Sequence, residues 1–170
     1  MPILPAQRDP RLITTRRGGS LTDEDHRLHA IWAIDCAAHV LSFFEAANPD
    51  DRRPRQALDV ARGWVRGEVP MRDAHKTAFI ANAAARELEG AAKFAALSAG
   101  QAVAVAHVAA HNLGAAAYAI RAAAAAEPGN AQAGPKECQW QLAQLPEAIR
   151  DLMIEDQKQR NAICWNVFIC

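Results

Sequence analysis

Asp35-xxx-His39 and His107-xxx-His111 are the residues whose types and spacing could do chemistry. A separation of four within a helix puts both side chains of a pair on one face. Both pairs sit in stretches otherwise filled with alanine and bulky apolar residues. A carboxylate and three imidazoles turned inward could ligate a divalent transition metal, hold a small ligand or move protons. They could equally bond to one another and to the backbone, fixing helix register. Buried polar groups need such partners, because one left without costs roughly 1–3 kcal/mol. The polar core network, with no cofactor, is the reading we favour. A metal held by Asp35, His39, His107 and His111 is the alternative. Either requires an Asp35–histidine contact of about 2.7–3.2 Å. The E-x-x-H pair of di-iron bundles is absent.

A second constellation is Arg52-Arg-Pro-Arg55, with Asp59 and Arg62 nearby. Forked guanidiniums at a helix start suit an acidic partner or a phosphate. A solvated face laced by pairs such as Arg55–Asp59 is the simpler reading. His26 and His29 fall in the charged first turns of a helix and are expected at the surface. The four tryptophans read as core anchors. Nucleophile elbows, phosphate-cradling loops and H-E-x-x-H are missing, so no enzymatic activity is expected.

Helices must position these residues. Alanine, the best helix former, takes 39 of 170 positions, and alternating apolar/polar runs are nearly absent, which predicts an all-α fold. Thr22 with Asp23, Glu24 and Asp25 is a good helix start, and that helix runs to about Ala47. Its inward stripe reads Leu28, Ile31, Trp32, Asp35, Cys36, His39, Val40 and Phe43. After the Asn48-Pro-Asp-Asp51 turn a second helix starts near Pro54 and ends at Gly67. A third follows Pro70. A chain reversal near Gly90, with Gly100 tolerated inside a helix, leaves a fourth helix ending in the run 122–126. A short helix precedes Pro146, and a last amphipathic helix carries Ile149, Leu152 and Met153 to about Arg160. The arrangement predicted is an antiparallel bundle of four main helices plus a C-terminal helix and a packed apolar tail. The domain spans 21–170, behind a basic arm over 1–20 that is either a strap or a mobile tail.

Composition narrows the partners. Nineteen basic and nineteen acidic residues cancel, which argues against nucleic acid as the main ligand. No apolar run is read as a membrane span, and the proline-rich start is too short for a signal peptide. Cys36, Cys138, Cys164 and Cys170 show no zinc spacing. They are expected to be reduced, in a cytoplasmic protein.

Several longer strings stand in order: Arg8-Asp-Pro-Arg-Leu12, Trp32-Ala-Ile-Asp-Cys-Ala37, Pro49-Asp-Asp-Arg-Arg-Pro-Arg-Gln-Ala57, Ala61-Arg-Gly-Trp-Val-Arg-Gly-Glu68, Ala106-His-Val-Ala-Ala-His111 and Leu145-Pro-Glu147. Together they resemble the immunity protein five-like family of bacterial polymorphic toxin systems, over about residues 8–168. The resemblance implies a small helical protein that protects its producer by binding and neutralising a cognate toxin protein, without catalysis. It also implies histidine where this chain has Asn82 and Gln101, so a site shared through those positions is incomplete here. A steric blocker needs a surface patch, and Arg52, Arg53 and Arg55, with the basic arm, are the candidates for it.

Overall fold

Thr22 opens the first helix as expected: its hydroxyl accepts the Asp25 N–H at 3.1 Å, with three carboxylates in the first turn. The computed structural model describes residues 3–170. Among these are seven α-helices and no strand beyond one isolated bridge, Thr14 with Leu21. They are α1 Asp23–Ala47, α2 Arg53–Val65, α3 Met71–Ala84, α4 Gly90–Ala104, α5 His111–Ala126, α6 Ala133–Ala143 and α7 Glu147–Arg160. The all-α class follows directly.

The axis of the fold is α1, buried on two sides. Trp32, Cys36, Val40 and Phe44 join a core with α5, α7 and the tail. Ala30, Ala33, Ile34, Ala37 and Leu41 join a second core with α2, α3 and α4. One narrow strip faces solvent, and it includes Ile31, Asp35, His39 and Ser42. The inward stripe assigned from periodicity is therefore corrected at Ile31, Asp35 and His39. Apolar residues nearly encircle α1, so its pattern does not single out one buried face. The best 18-residue window of α1 reaches a mean hydropathy of 1.3, enough by length and composition to cross a bilayer. Here that helix is a packed core element.

Gly90, with φ of +59°, turns the chain out of the loop after α3, and Gly100 lies inside α4 as predicted. Gly100 makes room for the Asn82 side chain on α3: a Cβ there would come within 2.2 Å of Asn82 Oδ1, which would have to move. The fourth helix foreseen from 90 to 126 is two. Residues 105–110 leave the helix, and α4 and α5 pack together, pinned by Ser98 Oγ donating to the Ala115 carbonyl at 2.8 Å. That break holds neither glycine nor proline. Small side chains let the two helices close on each other, and that contact outweighs the local preference to continue.

The basic arm is a strap. Ile3, Leu12 and Leu21 are buried, and Arg11 pairs with Asp9 and with Glu155 of α7 at 2.7 and 2.8 Å. The tail packs as foreseen, with Cys164 buried and Trp165, Val167 and Phe168 against the core. Asn161 brackets it, donating to the Phe168 carbonyl at 3.2 Å and accepting the Phe168 N–H at 3.0 Å. The Arg121 guanidinium lies 4.0 Å from the Phe94 ring centre and 4.1 Å from that of Trp165.

Folding the tail back brings Cys170 to Cys138, and the two form a disulfide with Cα atoms 5.8 Å apart. The expectation of four reduced cysteines is thus corrected. Cys36 and Cys164 are free and buried. Alkylation of denatured, unreduced protein is expected to count two free thiols per chain, and four would refute the link. Closing a loop of this sequence separation, 32, is worth about 2–4 kcal/mol. Cys170→Ser is expected to lower the melting temperature accordingly.

Candidate functional site

The four residues singled out by spacing do not converge. Asp35 lines a shallow hollow of about 180 Å³ with Ile31, Ile34, Arg62 and Val65. Desolvation there raises its carboxyl pKa, against the Arg62 charge. His39, one turn on, donates from Nδ1 to Glu137 Oε2 at 2.7 Å. Its ring stacks on Trp140, 3.6 Å between centroids and 7° from parallel. Glu137 is buried and also accepts from Gln141 Nε2 at 3.0 Å.

His107 lies in the turn between α4 and α5 and His111 is the first residue of α5, so this pair does not share a helix. The His107 ring stacks on His75 of α3 at 4.1 Å, and its Nδ1 is buried without a partner. Burial lowers its pKa, helped by the charges of His75, Arg17 and Arg8. His111 Nδ1 donates to Gln101 Oε1 at 2.7 Å, so one of the two positions where the resemblance implies histidine is its partner. Burial, reinforced by nearby cations, pushes the His111 pKa down to about 4. Among the described residues Asp35 has no hydrogen bond to a histidine, and no three His, Cys, Asp or Glu side chains are grouped to hold a metal ion. The required Asp35–histidine contact is corrected accordingly. Asp35 and His39 face outward on α1, away from the turn that carries the other two.

His26 and His29, expected at the surface, are buried. His26 Nε2 donates to the Val105 carbonyl at 2.6 Å, bonding α1 to the unforeseen break. His29 Nδ1 accepts from the Asn112 amide at 2.7 Å, and burial pushes its pKa down to about 4. The helical register of Trp32 could have revealed His29, three residues earlier on the same side. Five imidazoles thus gather at one end of the bundle. Between them and the strap lies a hollow of about 360 Å³, lined by Arg16, Arg17, His26, Trp64, Met71 and His107 among others.

Residues 19–148 match the family model described as "Imm-5 like putative immunity protein". The chain belongs to that family. The match takes in α1 to α6 with Asp35, His39, His107, His111 and the arginines of α2, leaves out nearly all of the basic arm, and stops just inside α7. Neither a curated protein nor a solved structure matches the chain. In this immunity-family protein the arginines at the start of α2 are partly neutralised from within. Arg53 pairs with Asp51 at 2.6 Å, and Arg55 pairs with Glu45 where Asp59 had been the expected partner. Each pair lowers its carboxylate's pKa, chiefly through the hydrogen bonds from the guanidinium.

Proposed function

We propose that this protein is a non-enzymatic immunity protein that binds a cognate bacterial toxin and neutralises it by covering it. Family membership over residues 19–148 carries this reading. The site geometry supports it, because most of the polar residues with catalytic potential are engaged in holding the scaffold. His26 ties α1 to the α4–α5 turn, His29 ties α1 to α5, His111 ties α5 to α4 and His39 ties α1 to α6. Such a scaffold offers a partner its surface.

The test is co-expression with the polypeptide encoded by the neighbouring reading frame. Stable co-purification, together with rescue of growth in cells making that polypeptide, is the expected result. Growth arrest unrelieved by this protein, with no association, would overturn the reading. The competing reading, a bundle organised by a transition metal, has its four donors in separate settings. Chelator is expected to leave the melting temperature unchanged, whereas a metal linked to folding would make it fall.

A further inference from the structure

Five large apolar side chains are exposed among the described residues, and three of them stand on α3. Met71 is 40% exposed, Phe79 64% and Ile80 50%. Met71, His75 and Phe79 follow each other at intervals of four, so they form one outward stripe. His75 meets Phe79 edge-on at 5.2 Å and stacks on His107 at 4.1 Å. The stripe therefore runs without a gap into the histidine-end hollow, which Met71 and His107 also line.

Cations predominate around this surface, and the carboxylates beside it, Asp23 and Asp73, are each paired with an arginine. No carboxylate lines the hollow. Arg16 at its rim is paired with Asp23 at 2.7 Å, but Arg17, Arg8 and Lys76 have no ion-pair partner among the described residues. Arg17 and Arg8 are close enough to depress the His107 pKa together. At the start of α2, by contrast, Arg53 and Arg55 already hold carboxylates and only Arg52 is left without an ion pair among the described residues. Uncompensated cations around a concavity, beside exposed aromatic and methionine side chains, have the composition of a protein-binding surface.

We propose that the outer stripe of α3 and the hollow at its N-terminal end are the docking surface for an acidic protein partner. The partner places carboxylates against Arg8, Arg17 and the hollow, and an apolar pocket over Phe79. This rests on the immunity reading for the partner being a protein. A concavity able to receive side chains, rather than a flat basic face, favours a protein over a bilayer or a nucleic acid.

Calorimetry with the polypeptide of the neighbouring reading frame tests it on three variants of the full chain: Phe79→Asp, the double change Arg8→Glu with Arg17→Glu, and Arg52, Arg53 and Arg55 all changed to alanine. The first two are expected to weaken binding at least about tenfold with melting temperatures near wild type. The double variant should also flatten the salt dependence of binding. The triple variant should bind as wild type does. If wild type binds while both α3-face variants keep its affinity, the docking surface is overturned and the immunity reading stands. Loss of binding in the triple variant alone would move the interface to α2. If wild type does not bind that polypeptide, both proposals fall together. Phe79-dependent binding to vesicles of anionic phospholipid, or to duplex DNA, would overturn the assignment to a protein partner.

Discussion

Replacing Asp156 with alanine is expected to cost about 3–5 kcal/mol of stability. Asp156 and Arg160 lie one turn apart on α7, 5% and 3% exposed. They form a two-pronged pair, with Nη2 on Oδ2 at 2.6 Å and Nε on Oδ1 at 2.8 Å. The remaining Nη1 donates to the Ala110 carbonyl at 3.0 Å and the Ile3 carbonyl at 3.4 Å. One guanidinium thus holds α7, the strap and the end of the α4–α5 turn together. Without the carboxylate, a full positive charge stays buried with only carbonyl dipoles to offset it. Urea unfolding monitored by circular dichroism reads the loss as a lower midpoint at unchanged slope. Changing Asp156 and Arg160 together to leucine and methionine should recover much of it, because the penalty comes from the orphaned charge. A loss below about 1 kcal/mol for Asp156→Ala would mean that the pair is open to water.

Acid is expected to destabilise the protein from about pH 6.5 downward, through its buried histidines. His29 and His111 have folded-state pKa values of about 4, against an ordinary 6.5. Burial is the main cause in both, and it lowers His26 and His107 as well. Between pH 6.5 and 4 the unfolded chain takes up protons on these rings that the folded chain refuses. Their contribution is therefore fully present above pH 6.5 and is lost as the pH falls towards 4. Each unit of difference is worth about 1.4 kcal/mol, so His29 and His111 together make this a loss of several kcal/mol. The melting temperature should fall steadily across that window, and His111→Gln should make the slope shallower. A flat profile from pH 6.5 to 4.5 would show that the rings are charged in the folded protein. The paired carboxylates Asp9, Glu45, Asp51 and Glu68 are held below their ordinary values, so their contributions are lost only at lower pH.

The two expectations differ in how far they were legible in the chain. The last helix and its end near Arg160 could be read from residues alone, but the partners of Arg160 could not. Ala110 and Ile3 stand 50 and 157 positions away. Likewise the His107-xxx-His111 spacing falls on a turn and not on one helix face. The helix breaks between 105 and 110, and nothing within those residues announces that break.

What the sequence determined by itself was whatever depends on neighbours within about four positions. The Thr22 cap, the turn after Ala47, the proline starts of α2 and α7 and the reversal at Gly90 all follow from local backbone hydrogen bonding and allowed dihedrals. An all-α fold follows from their sum. Only the tertiary structure decided which strip of α1 meets water, because apolar residues flank that helix on two sides and satisfy either rotation. It put His29 inside and Asp35 outside by placing Asn112 beside one and solvent beside the other. It also split the alanine-rich segment into α4 and α5 and carried Cys170 to Cys138. Alanine specifies a helix strongly and its orientation hardly at all, since a methyl group packs equally well on any side.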